Sequence, residues 1–302
     1  MDIGVIGAGK WGQALHFSFL ENHNSFITSR TKRNIKNFTD IKSVLDKKYI
    51  VFALSSQYAR EWMKKNFKYK NQKVLVASKG IEAKSGKFLN EIFMEFVPVE
   101  NLAFISGPSF ASEVIKKLPT ALVISSTSLQ TAKEFEQFFP NFIKTYHDDD
   151  VIGAEIAGAY KNILAIASGV CDGLKLGNNA RASLISRGLV EMSRFGVYFG
   201  AKKETFLGLS GSGDLFLTAS SELSRNYRVG KYLAGGNLLE DILSKIGEVA
   251  EGVATTYAVK RISVEKNLYI PIANEVYEIL EGKPALKSLK DLLKGTSNNL
   301  KV

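Results

Sequence analysis

Apolar residues follow two different rhythms along the chain. Up to about residue 147, short apolar runs recur between longer mixed segments: DIGVIG, SFITS, YIVFAL, KVLVAS, NLAFIS, TALVIS and FIKTY, each with β-branched or aromatic residues and nearby turn residues. Runs of this length and composition predict strands, and most of the intervals have room for a helix. Strands alternating with helices predict a doubly wound, mostly parallel α/β sheet of Rossmann type. At HDDDV, residues 147–151, the rhythm changes. Three acids suit a helix start, where the helix dipole favours negative charge, and no strand-like run follows. Segments near 150–173, 180–200, 222–235, 251–267 and 271–282 carry apolar residues at three- and four-residue spacing, and Pro271 is placed to open the last of them. The prediction is an α/β domain over residues 1–147 followed by an all-α domain over 148–302, with no repeat or low-complexity linker between them.

Composition narrows the class of protein. A chain of 302 residues, 45% hydrophobic, is long enough for two cores. Its net charge of +10 gives a positive field that suits nucleic acid, a membrane surface or small anions. The cations are spread along the chain without an aromatic-rich basic cluster, which argues against nucleic acid. Cys171 is the only cysteine, so no disulfide forms within the chain, and His16, His23 and His147 lack metal-ligand spacing, so no metal is expected. No window offers the roughly 18 uninterrupted apolar residues of a membrane span, and no basic leader precedes the first strand-like run. A cytoplasmic protein without a membrane span is expected.

The stretch GVIGAGKWG fits two motifs. Gly4 to Lys10 reads G-x-x-x-x-G-K, the phosphate loop of nucleotide hydrolases, while Gly7, Gly9 and Gly12 read G-x-G-x-x-G, the dinucleotide-binding turn. The first reading needs a strand before Gly4 and a Ser or Thr after the lysine; only three residues precede Gly4, and Trp11 follows Lys10. The second has the right context, a buried strand, a glycine turn and a helix whose N-terminus attracts a pyrophosphate. The next strand, SFITS, runs into Arg30, Thr31, Lys32 and Arg33, with no acid to hold an adenosine ribose. Three clustered cations suit a 2'-phosphate, so NADPH is expected in preference to NADH; a solvated basic turn is the competing reading.

Candidate chemistry gathers in a few places. Lys161 sits in the small and apolar segment AEIAGAYKNILAIASGV, where its helical neighbours Ala157, Gly158, Leu164 and Ala165 offer no carboxylate. Either its stem lies on the core while the head reaches water, or it is a catalytic proton donor whose pKa is lowered by desolvation and by other cations. Lys79 follows the strand KVLVAS, and Gly107 and Ser109 follow NLAFIS, at the sheet edge where open α/β folds bind ligands. Further on, Gly211, Gly213, Asp214 and Thr218 lead to Ser224, Arg225 and Asn226 at an expected helix start, where an arginine beside small polar residues suits a phosphate. An ordinary serine cap with a surface arginine is the alternative.

These residues resemble those of a known family, the bacterial-type NAD(P)-dependent sn-glycerol-3-phosphate dehydrogenases. The likeness runs in order through GAGKWGQAL, ASKGIE, SGPSFA, GAYKNILAIASGVCDGLKLGNNARASLISRG, GSGDLFLT, LSRNYRVG and GEVAEGV, from residue 7 to about 253. The resemblance implies reversible reduction of dihydroxyacetone phosphate to sn-glycerol 3-phosphate for phospholipid synthesis. It implies Lys161 as the proton donor and Lys79 as a group touching cofactor and substrate. Gly107, Ser109, Asp214, Thr218, Ser224, Arg225 and Asn226 are then the substrate pocket. Gly7, Gly9, Lys10, Trp11, Gly12, Arg30, Arg33, Ala111, Val249 and Glu251 are cofactor positions, to which Lys79 and Arg225 also contribute. Two residues depart from the family pattern: Lys10 stands where Ser is common and Gln13 where Thr is usual.

A reductase of another two-domain family is the nearest rival, and SRNYR with Lys161 argues against it, because a phosphate anchor would be idle there. A cofactor sensor without chemistry is disfavoured by the buried lysine. The run ARASLISRGLVEMSRFG, with Arg181, Arg187 and Arg194, reads as a dimer face or as internal packing, and a homodimer is expected.

Overall fold

The computed structural model describes residues 1–247 and 250–294. By internal contacts the chain forms two compact units, one of Met1–Lys79 with Leu89–Glu155, the other of Gly80–Phe88 with the chain from Ile156 onward.

All seven strand-like runs become strands in the first unit: β1 (Asp2–Ile6), β2 (Asn24–Thr28), β3 (Tyr49–Phe52), β4 (Lys73–Val76), β5 (Leu102–Ser106), β6 (Thr120–Ser125) and β7 (Ile143–Asp148). They form one sheet in the order β2-β1-β3-β4-β5-β6-β7. Every neighbouring pair is parallel except β5 and β6. The chain leaves β1 for β2 on one side and returns to β3 on the other, so the order reverses at β1, the place where such sheets bind ligands beyond their carboxyl ends. Helices α1 (Lys10–Phe19), α2 (Ile41–Leu45), α3 (Ala59–Asn66), α4 (Leu89–Phe93), α5 (Ala111–Ile115) and α6 (Leu129–Glu136) fill the intervals.

Side-chain alternation sorts the strands onto two cores. Ile3, Val5, Val51, Leu75 and Ile105 join Leu15, Phe19 and Phe135 in one apolar cluster. Ile6, Ile50, Phe52, Val74, Val76 and Phe104 join Met63, Ile92 and Phe93 in the other. Burial on both sides is why these strands read as continuous apolar runs instead of an alternation of apolar and polar residues. At the amino edge of the sheet, Glu134 of α6 accepts from Tyr49 Oη at 2.9 Å and pairs with Lys73 Nζ at 2.9 Å. Burial works against that carboxylate, but the donors from Lys73, Gln130 and Tyr49 outweigh it and hold its pKa at about 2.

The second unit is helical, in α7 (Val151–Gly173), α8 (Asn178–Tyr198), α9 (Lys203–Leu207), α10 (Asp214–Ala219), α11 (Arg225–Ala234), α12 (Leu239–Ile246), α13 (Glu251–Lys266), α14 (Pro271–Leu280) and α15 (Ala285–Lys294). The five helical segments expected from periodicity are α7, α8, α11, α13 and α14; α9, α10, α12 and α15 lie outside those segments. Of these, α9 is a helix of five residues, too short to show a periodicity. Asp150 caps α7 by accepting Gly153 N–H at 2.8 Å, and Pro271 opens α14. The first turn of α7 belongs to the sheet unit, where Val151 joins a core cluster, so the division falls inside that helix and not at the end of the last strand. Residues 80–88, within the span expected to form the α/β domain, fold with the helices: Arg261 Nη1 donates to Ala83 O at 2.8 Å, and Phe88 meets Phe199 edge to face.

Glycines let α7 and α11 touch along their backbones. A Cβ on Gly230 would lie 1.9 Å from Ile166 O, and one on Gly169 would lie 2.0 Å from Tyr227 O. The small-residue composition around Lys161 therefore marks a helix crossing that admits no side chains at those points. On α8, Ile185, Gly188, Met192 and Phe195 are buried while Ser186 and Arg187 are exposed, so one side of the arginine-spaced run is internal packing.

Candidate active site

In the sheet unit the candidate groups lie beyond the carboxyl ends of parallel strands. Gly7 leaves β1 with φ +108 and donates its N–H to Thr28 O at 2.9 Å, a backbone conformation that favours glycine. A Cβ on Gly12 would lie 1.9 Å from Gly7 O, so that position must also be glycine. Gly9 differs: it sits at the N-cap of α1 without a side-chain cap, and a Cβ there would meet nothing within 4 Å. Two glycines thus close the turn and the third leaves its outer surface bare. Gln13, one of the two departures, braces the turn by donating from Nε2 to Ala8 O at 2.8 Å.

A dinucleotide fits this surface. The α1 N-terminus presents the N–H groups of its first turn, and the Trp11 indole N–H is buried with no hydrogen-bond partner among the described residues. Lys10 is exposed at the same helix start. Arg30 and Arg33 are exposed in the loop after β2. That loop is tied to α1 by His16, whose ring nitrogens lie 2.7 Å from Ser25 Oγ and 2.8 Å from Lys36 O. Burial lowers the His16 pKa, which keeps the ring neutral and able to accept at one nitrogen while donating at the other. Nothing in its sequence neighbourhood singled out His16 for this task.

Further along the same edge, Lys79 follows β4 and is partly buried. Gly107 follows β5 with φ +106, and Ser109 Oγ donates to Gly107 O at 3.1 Å. Ala111 opens α5 directly behind them.

In the helical unit, Lys161 Nζ donates to Asp214 Oδ1 at 2.5 Å and to Thr218 Oγ1 at 3.0 Å. All three are buried, with 7%, 1% and 6% of their surface exposed. Lys161 therefore has a carboxylate partner, brought from 53 residues away, where local spacing suggested none. The pair is an ion pair at close range. Asp214 and Thr218 are one turn apart at the start of α10, and the π-helical turn Leu209–Gly213 leads into that helix. Gly211 in that turn serves packing, since a Cβ there would lie 2.3 Å from Phe206 O.

Ser224 is the N-cap of α11, its Oγ accepting Tyr227 N–H at 3.3 Å, and Arg225 is the first helical residue. Buried Asn226 accepts Gly252 N–H through Oδ1 at 3.0 Å, leaving its amide nitrogen as a donor. A Cβ on Gly252 would lie 2.7 Å from Asn226 Oδ1 and 2.8 Å from Asn162 O. That close approach brings the starts of α11 and α13, where Glu251 lies, against α7 one residue from Lys161. Val249 lies outside the described residues.

Family models described as NAD-dependent glycerol-3-phosphate dehydrogenase N-terminus and C-terminus match residues 20–132 and 150–291. The chain belongs to the NAD-dependent glycerol-3-phosphate dehydrogenase family. It is 61% identical over 294 residues to glycerol-3-phosphate dehydrogenase [NAD(P)+] of Campylobacter jejuni, covering 97% of this chain and 99% of that one. The same enzyme of Sulfurimonas denitrificans is 59% identical, with 96% and 98% covered. A crystal structure of glycerol-3-phosphate dehydrogenase from Coxiella burnetii matches at a TM-score of 0.89 and 32% identity, with 97% and 99% covered. The family model for the N-terminus starts beyond the glycine turn, so Gly7 to Gly12 rest on their own geometry.

Proposed function

We propose that this protein reduces dihydroxyacetone phosphate to sn-glycerol 3-phosphate, reversibly, with NADPH or NADH, and so feeds glycerophospholipid synthesis. The observation that carries the chemistry is the buried cluster of Lys161, Asp214 and Thr218. Reduction of a ketone adds a hydride to carbon and a proton to oxygen. A bound reduced nicotinamide supplies the hydride. The developing alkoxide then needs a proton, and Lys161 Nζ donates it, becoming the neutral amine. Asp214 and Thr218 hold the ammonium in place beforehand and keep its charge tolerable in a buried position. In the reverse direction the neutral amine accepts the hydroxyl proton.

Lys79 adds positive charge where the carbonyl oxygen becomes negative, and Gly107 and Ser109 contribute donors to the substrate. Arg225 and Asn226, at the N-terminus of α11 capped by Ser224, anchor the substrate phosphate, where the guanidinium supplies paired donors and the helix dipole favours an anion. Gly7, Gly9, Lys10, Trp11, Gly12, Ala111, Val249 and Glu251 hold the dinucleotide, and Lys79 and Arg225 also reach it. Arg30 and Arg33 take the 2'-phosphate of NADPH, which makes it the preferred cofactor. Dinucleotide binding is thus assigned mainly to residues 1–147 and the proton chemistry to 148–302. The assembly we propose is a homodimer, to be checked by light scattering.

The test is loss of reduced-nicotinamide absorbance when the purified protein meets dihydroxyacetone phosphate, with NADPH and NADH in parallel. Rapid oxidation is expected with this substrate and none with unphosphorylated dihydroxyacetone. Absence of oxidation with either cofactor, from folded protein, would return the function to the rival reductases.

A further inference from the structure

Apart from the groups already described, α8 carries two arginines two turns apart, Arg187 and Arg194, beside the start of α14. Together with Val190, Tyr269, Pro271 and Ile272 they line a recess of about 130 Å³. The Arg194 guanidinium lies over the Tyr269 ring, 5.1 Å from its centre, and Arg194 Nε is buried without a hydrogen-bond partner. Arg187 is exposed. Among the described residues, neither guanidinium makes a hydrogen bond or an ion pair.

The carboxylate nearest to them does not fill that role. Glu191, buried in the wall of the recess, accepts Tyr160 Oη at 2.8 Å and Ala273 N–H at 2.9 Å on one oxygen, and Ile272 N–H at 2.8 Å on the other. It closes the start of α14 and leaves Arg194 only a longer-range attraction. The recess therefore holds two cations against one acid, with a guanidinium N–H buried and unmatched, whereas such groups in native proteins are nearly always paired.

We propose that this recess binds a small organic anion, with a carboxylate or phosphate head paired to Arg187 and Arg194 and an apolar body against Val190, Tyr269 and Pro271. A guanidinium offers a planar fork of N–H donors that matches either head group, and the aliphatic and aromatic walls favour a carbon body over a bare inorganic ion. The volume suits a fragment with a short body. The site is independent of the reaction assigned above.

Titration calorimetry of the full-length protein with phenyl phosphate and with benzoate, against benzyl alcohol as the uncharged control, tests the proposal. Saturable binding of at least one anion is expected, and none of the alcohol; the tighter of the two anions identifies the head group. Arg187→Ala, a surface change that leaves the fold alone, and Arg194→Lys should each weaken binding about tenfold or more, while Arg225→Ala leaves it unchanged. No binding by the unaltered protein overturns the proposal. So does binding lost with Arg225→Ala but kept in the α8 variants, which would place the anion at the substrate phosphate anchor. A fall in molecular mass for Arg187→Ala by light scattering also overturns it, by assigning the arginines to a contact between copies of the chain.

Discussion

In the sheet unit, the glycine turn, Arg30, Lys79 and Gly107 each follow a different strand and are aligned because the strands are parallel. In the helical unit, Lys161 meets Asp214 and Thr218, 53 and 57 residues further along the chain, through side chains on two crossing helices. The first arrangement is made mostly of backbone: two glycines that must be glycine, one left bare, and a helix start. The second is made of side chains whose positions depend on how α7, α10, α11 and α13 pack. Backbone sites report themselves locally, through residues that tolerate unusual φ or close approach. Side-chain sites report only that something is unusual, as an ammonium amid alanines does, without saying what satisfies it.

Substitutions at Lys161 should break the comparison most visibly. Lys161→Met is expected to lower turnover at least about a hundredfold, the lower range for loss of a general acid. It should also cost roughly 3 to 5 kcal/mol in urea unfolding, because the buried Asp214 carboxylate loses its ion-pair partner. Adding Asp214→Asn should recover most of that stability without restoring turnover, separating the structural role of the pair from its chemical one. A single variant that keeps most of its turnover would remove Lys161 from the reaction.

For the sheet unit, Arg30→Glu should raise the KM for NADPH about ten- to a hundredfold, the scale of a lost hydrogen bond to a charged group, and leave that for NADH nearly unchanged. Equal effects on the two cofactors would end the 2'-phosphate assignment. The glycines of the turn offer a finer division. Gly12→Ala should lower stability by about 1 to 3 kcal/mol, since its Cβ has no room beside Gly7 O. Gly9→Ala should change stability by no more than about 0.5 kcal/mol yet raise the KM for both cofactors. If Gly9→Ala proves to bind cofactor normally, the bare surface is not where the dinucleotide lies.

The smallest effect expected is on pH dependence. Glu155 accepts Asn90 N–H at 3.0 Å, and burial pushes its pKa up to about 8 despite that bond. An acid that holds its proton more tightly when folded favours the folded state fully below its unfolded value, near 4.3, and loses that contribution as pH rises through about 8. Glu155→Gln should therefore flatten the fall of Tm between pH 5 and 8. The effect is modest because the side chain keeps some contact with solvent. An unchanged slope would assign the pH dependence to other groups.

Much of this molecule was legible in the order of its residues. The seven apolar runs became the seven strands, because a strand buried on both faces has little choice but to be apolar throughout. The glycine spacing at residues 7 to 12 was legible because steric exclusion acts between residues close in sequence, and Pro271 because it presets a helix start. Sequence also isolated Lys161 as out of place. It did not supply Asp214 as the ion partner, His16 as the anchor of the basic loop, Glu191 as the acid closing α14, or the grouping of residues 80–88 with the helices. Each of those depends on distance in space between segments far apart in the chain, where chain connectivity imposes no spacing and only the packing of helices and strands selects which polar groups meet.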